Sequence, residues 1–390
     1  MPDTYSSAAS AEPAVPEFPP GPEEPPAAPV PPADVRSRPE RRGSVPHSVP
    51  HSVPRGPFWR ALGLHILIPF FLAAGMGLAY LGAFHEPGPN HLSLGIVGTG
   101  TSAEVFAQQL NDADPGALDT RTVADADTAR QLITDREVSA AYEPGEDEAT
   151  LYVSSAASAT TAEIARKIFL PIAYEQQLPL NVVDVVPTNE HDPTSQGLFF
   201  LLVGMSVGGY SSAVAIAAVS ERIGVLWRAA VAAGSSAVIA GIGIIIAGPV
   251  YGILENSHWS LWLLSWLYVM TIALLGIALH PVLRKWTTPT LTMLFVMLNF
   301  TSCGGIFTSE TLPPFFAALG TFWNGAAWLH AAQGMVYFPG QAFGIDILKL
   351  GLWLAAGAVL LALTHLWSVR RTRLSDERAL VREDEEGIAA

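Results

Sequence analysis

The stretch ALGLHILIPFFLAAGMGLAYLGAF (61–84) decides how this chain is read. A helix needs about 20 mostly apolar residues to cross hydrocarbon, where no water satisfies backbone polar groups. Residues 61–84 meet that length without one Asp, Glu, Lys or Arg. A polar segment, 85–196, follows, and then apolar stretches recur at 197–219, 229–250, 259–279, 289–307 and, with Lys349 near its start, 347–367. The pattern predicts an α-helical polytopic membrane protein with six transmembrane helices and an extracytoplasmic α/β domain inserted between helices 1 and 2. Thr311–Ile345 also lacks Asp, Glu, Lys and Arg, but Pro313, Pro314, Gly320, Gly325, Gly334, Pro339 and Gly340 interrupt it. Its aromatic residues favour the headgroup level, so 308–345 reads as an outer re-entrant segment within 197–370.

Orientation follows from Lys and Arg in short loops, which resist translocation. Arg55 and Arg60 precede the first span, Arg222 and Arg228 lie between the second and third, Arg284 and Lys285 follow the fourth, and Arg370, Arg371 and Arg373 follow the sixth. All fall on one side if both termini are cytoplasmic, which predicts a multi-pass protein of the plasma membrane surrounded by lipid. The opposite loops carry Glu255 and Glu310 and no Lys or Arg.

The net charge of −14 is unevenly placed: residues 85–196 hold 18 Asp and Glu against 5 Lys and Arg. An acidic domain excludes nucleic acid, whose phosphates demand basic patches. The one cysteine, Cys303, excludes an intrachain disulfide. Residues 1–57 are rich in Pro, Ala and Glu and include SVPHSVPHSVPR (44–55), with Ser44, Ser48 and Ser52 as candidate phosphorylation sites. Such a segment buries too little apolar surface to fold alone, and it reads as a disordered cytoplasmic tail before an interfacial entry at 58–60 and the span ending at Phe84. Residues 371–390, with REDEEG at 382–387, read as an acidic cytoplasmic tail.

In 85–196, alternation and spacing predict strands at 92–98, 120–125, 138–144, 148–155 and 181–187, and helices at 126–137 and 161–169. GIVGTGTSAE (95–104) has the look of a dinucleotide turn, but Ala103 stands where a third glycine belongs, so a plain strand-to-helix turn is expected. The spacing of His85, His91 and His191 fits no metal site. No cofactor is expected, and with no grouping of nucleophile, base and orienting residue an enzyme is not expected either.

Gly204, Gly208 and Ser212 recur at i, i+4 and i+8, a pattern that lets helices approach closely; they are candidates for helix packing or a dimer seam. His65, Asp346 and Lys349 are the ionisable residues nearest the spans. Asp346 and Lys349, three apart, read as a local pair rather than a proton relay. No GxxxxGK[ST] occurs, so active transport would need another polypeptide to bind nucleotide.

Two stretches resemble the ABC-2 type transporter permeases, in the phage-infection-protein-like (YhgE/Pip) branch. They are DADTARQLITDREVSAAYEPGEDEATLYVSSAASATTAEIARKIF (125–169) and CGGIFTSETLPPFFAALGTFWNGAAWLHAAQGMVYF (303–338). The second departs from the branch pattern at Thr308, Trp323-Asn324 and Gln333. The resemblance covers roughly residues 58–370. It implies the permease subunit of an ATP-driven exporter, acting as a homodimer or heterodimer with a second permease and engaging a separate cytoplasmic ATPase. The implied contact is the loop Ser220–Arg228, with Glu221, Arg222, Leu226, Trp227 and Arg228. Pro313, Pro314, Phe315 and Phe316 are candidates for an outer gate. A nearly charge-free membrane interior suits a lipid-like or amphiphilic substrate. The alternative is a non-transporting scaffold or surface receptor acting through its extracytoplasmic domain.

Overall fold

The computed structural model describes residues 56–219, 223–255 and 258–389. The 1–55 part of the tail, including the SVPH repeat, and Glu221 and Arg222 lie outside the described residues. Among the described residues, five helices are long and apolar enough to cross a membrane: Leu62–Phe84, Gly197–Ala218, Val225–Val250, His258–Ser302 and Gly344–Arg371. This mostly helical arrangement is compatible with a polytopic membrane protein.

Helix α1 (Gly56–Phe84) leads into a five-stranded sheet. In chain order its elements are β1 (Leu92–Val97), α2 (Thr101–Ala113), β2 (Leu118–Val123), α3 (Ala126–Thr134), β3 (Ala140–Pro144), β4 (Ala149–Val153), α4 (Ser155–Glu175) and β5 (Leu180–Asp184). The order across the sheet is β2-β1-β3-β4-β5, parallel except for the β3–β4 hairpin. Because side chains alternate along a strand, Leu92, Leu94, Ile96, Tyr142 and Leu151 pack against Phe169 of α4 on one face. Val123, Ala141 and Tyr152 pack against Ala129 and Ile133 of α3 on the other. The GIVGTG segment is a turn from β1 into α2, with Gly98 at φ 142°. Asp125 caps α3 by accepting from Thr128 N at 2.7 Å.

The remaining helices are α5 (Gly197–Ala218), α6 (Val225–Ile245, continued by a π turn at Ile246–Val250), α7 (His258–Leu283), α8 (Thr287–Thr292), a π turn at Met293–Leu298, α9 (Asn299–Ser302), α10 (Pro314–Gly320), α11 (Asn324–Tyr337) and α12 (Gly344–Ala389). Two differences from the sequence reading concern ends. Helix α6 begins at Val225, so Leu226, Trp227 and Arg228 stand in its first turn rather than in a loop. Helix α12 continues through the expected acidic tail as far as Ala389.

The apolar run His258–Ser302 folds back on itself. Arg284 takes φ 49°, a left-handed conformation that breaks the helical path. Side chains then meet in antiparallel pairs: His280 Nδ1 with Thr287 Oγ1 at 3.1 Å, and Tyr268 OH with Asn299 Nδ2 at 2.6 Å. A methyl placed on Gly276 would lie 2.9 Å from Leu291 Cδ1. In a straight helix Tyr268 and Asn299 would be about 46 Å apart.

Candidate functional site at the domain–bundle junction

The α/β domain is tied to the helices by hydrogen bonds between residues far apart in sequence. Asn90 N donates to Glu310 O at 2.7 Å and Asn90 Nδ2 to Leu312 O at 3.0 Å. Thr160 Oγ1 donates to Ile306 O at 2.8 Å, and Thr161 and Thr308 share a hydroxyl contact at 3.0 Å. At the other end of the 308–345 segment, Gln341 Nε2 donates to Asp135 O at 3.3 Å and Tyr337 OH to Asp192 Oδ2 at 3.4 Å. Both ends of this segment therefore meet the α/β domain. Between them, α10 and α11 dip into the bundle, where a methyl on Gly320 would strike Ser302 O at 2.4 Å and one on Gly325 would strike Asn299 Oδ1 at 1.8 Å. Only glycine permits those approaches.

Under the domain lies a cavity of about 390 Å³. The α/β domain lines it with Arg136, Ser139, Ser154, Ser158 and Thr161. The helices line it with Glu310, His330, Gln333, Asp346 and Lys349, above a small-residue floor of Ser302, Cys303, Gly304, Gly320 and Ala326. Arg136 sits after α3 at φ 60°. Its guanidinium donates to Gln333 Oε1 at 2.7 Å and His330 O at 3.3 Å and lies 4.2 Å from the centre of the Phe338 ring. Burial pulls its pKa down to about 10, and the nearby Asp346 partly opposes that fall. Glu310 moves the other way: burial raises its pKa, against the hydrogen bonds it accepts from Ser139 and the backbone of Ser93.

Comparison of the chain with family models, curated proteins and solved structures gives no match.

Asp346 is the most enclosed charge in the group, its side chain 4% exposed. Lys349 approaches it at 3.7 Å, as a local pair should, but the closer partner is His330 Nδ1 at 2.6 Å. Nothing in the sequence pattern marks Arg136, His330 and Gln333 as residues that line one cavity. An arginine in an acidic domain and a histidine on an apolar helix carry no local signal of their meeting, although Glu310 was visible as one of few charges in its loop.

The other candidate residues fall elsewhere. Leu226 is 82% exposed and Trp227 70% exposed at the end of α5 and α6 remote from the α/β domain, while Arg228 Nε donates to Ile223 O at 3.0 Å. Gly208 and Ser212 face α6: a methyl on Gly208 would lie 2.9 Å from Ile239 Cγ2, and Ser212 Oγ meets Ser235 Oγ at 2.8 Å. Gly204 faces open space. Phe316 is buried with Ala83 and Leu312 against the end of α1, whereas Phe315, beside Pro313 and Pro314, is exposed. Among the described residues no group of three or more His, Cys, Asp or Glu is placed to hold a metal.

Proposed function

We propose that this chain is the membrane (permease) subunit of an ATP-driven exporter of the ABC-2 type that moves an amphiphilic substrate, working with a separate cytoplasmic ATPase and pairing with a second permease. The observation that carries the reading is the junction cavity, polar and charged toward the α/β domain and lined by small residues toward the helices. In this reading the chain crosses the plasma membrane six times, because α7 and its return arm count separately. The α/β domain and the α10–α11 segment lie on the outer side, and both termini are cytoplasmic.

Helix α5, 22 residues long, spans about 33 Å and joins the two faces. Beside its end remote from the α/β domain stand Leu226 and Trp227, in the first turn of α6, an apolar knob of the kind that fills a partner's pocket; α6 packs on α5 where Ser212 Oγ meets Ser235 Oγ at 2.8 Å. At the other end Asp192 accepts from Gln196 N at 3.0 Å and Gly197 N at 2.9 Å, and Tyr337 of α11 reaches the same carboxylate. A push on the knob would pass from α6 to α5 and through that hydrogen-bonded helix end to α11, whose Gln333 and His330 line the cavity.

The test is affinity purification from native membrane after gentle crosslinking, comparing wild type with Glu221→Arg combined with Leu226→Asp. Loss of a co-purifying ATPase from the variant alone supports the exporter. Absence of any ATPase from both forms refutes it and favours a scaffold or receptor.

A further inference from the structure

We propose that the junction cavity selects amphiphiles with an anionic headgroup, held by Arg136, whose apolar tail leaves between α10 and α12. The inference rests on reading the cavity as the substrate site and adds the class of molecule it takes.

The charge balance of the cavity points to an anion. Its two carboxyl groups are already engaged, Asp346 by His330 and Lys349 and Glu310 by Ser139 and the backbone of Ser93. Among the described residues no carboxylate forms an ion pair with Arg136. The hydrogen bonds of its guanidinium go to two neutral oxygens, leaving N–H donors of its five-donor fork to serve a ligand. A partly buried guanidinium without a contacting anion is costly, and its planar fork matches phosphate or carboxylate oxygens two at a time. Stacking on Phe338 fixes the plane of the fork before any ligand arrives.

Size and opening point to an amphiphile. About 390 Å³ accommodates a headgroup and not a whole lipid, so an attached chain must continue outside. Thr321 and Ile345 line the cavity and are also exposed, Ile345 by 57%. They mark a lateral mouth between α10 and α12. Below it Ile345, Leu348 and Leu352 form an exposed apolar stripe at i, i+3 and i+7 of α12, a surface suited to a hydrocarbon chain lying along the helix.

The test is equilibrium binding of radiolabelled dodecyl phosphate to the full chain in phosphatidylcholine nanodiscs, with dodecyltrimethylammonium, dodecyl maltoside and inorganic phosphate as competitors. Dodecyl phosphate is expected to bind saturably, and the cationic and neutral amphiphiles to compete at least about tenfold less well than unlabelled dodecyl phosphate. Arg136→Gln should weaken binding by about tenfold or more, the scale of a lost charge-assisted contact, with Arg136→Lys intermediate. Thr321→Trp, which blocks the mouth without touching Arg136, should weaken it similarly while leaving the thermal midpoint unchanged. Equal binding of the three amphiphiles, or unchanged affinity in Arg136→Gln or Thr321→Trp, overturns the proposal. Displacement by inorganic phosphate as effective as by dodecyl phosphate also overturns it, showing a site for a soluble anion. The assay needs no ATPase, so probe binding without a co-purifying ATPase sinks the exporter reading alone, and the converse result sinks only the choice of ligand.

Discussion

Tyr268 and Asn299 sit 31 residues apart in one apolar run, and their contact at 2.6 Å exists only because the run reverses at Arg284. Tyr268 OH also meets Ser206 Oγ at 2.5 Å, and all three residues are fully buried. Tyr268→Phe removes both bonds without opening space. Side-chain hydrogen bonds between membrane helices average about 0.6 kcal/mol and reach about 1.7, so two of them set an expected loss of roughly 1–3 kcal/mol. Asn299→Ala removes the amide from the same contact, and because the pair shares it, the double variant should lose less than the sum of the singles by about 0.6–1.7 kcal/mol. The assay is reversible unfolding of the purified protein in mixed micelles, run as a double-mutant cycle. Additivity to within about 0.3 kcal/mol refutes the reasoning, because residues at opposite ends of one continuous helix do not couple.

Glycine position, and not glycine content, should govern tolerance in the helices. A methyl on Gly276 would lie 2.5 Å from Ala213 Cβ, whereas nothing stands within 4 Å of one on Gly204; Gly276→Ala should cost about 1–3 kcal/mol, while Gly204→Ala should cost nothing and gain up to about 1 kcal/mol from helix propensity, as read by thermal unfolding. The junction should loosen with rising pH. Burial raises the pKa of Glu310, with Asp119 adding repulsion, so its protonated form favours the docked state. That contribution is full below the unfolded value of about 4.3 and fades as pH climbs through the folded value. Hydrogen exchange at Asn90, whose N–H bonds Glu310 O, should therefore accelerate toward neutral pH in wild type beyond the intrinsic base-catalysed rise, and show no such excess in Glu310→Gln.

Hydropathy located the apolar helices because backbone satisfaction in hydrocarbon leaves a length signature in the chain. Alternation located the strands of the sheet to within one to three residues, since each face packs its own layer. The site was far less legible. Arg136 and Gln333 are 197 residues apart, and Ser139 and Glu310 are 171 apart; each looks like a lone polar residue until the fold brings them together. The small-residue repeat was visible as a pattern, but only the rotation of α5 separates Gly208, pressed on Ile239, from Gly204, which faces outward. Asp346 was legible as an i, i+3 partner of Lys349, while the shorter bond to His330 depends on how α11 lies against α12.

The bonds that seat the α/β domain impose an order on biogenesis. The domain's last strand ends at Asp184, and the first of its hydrogen-bond partners beyond the bundle's hairpin is Ile306, just after α9. A ribosome adding 5–20 residues each second takes roughly 10 s to cover that interval. Throughout that time Arg136, Ser139 and Thr160 have no seat, so the domain has time to close around its own sheet before its dock has been made. Placement of α10 and α11 beneath it is then the step that finishes the molecule, and an error there would leave a folded domain on an unfinished base.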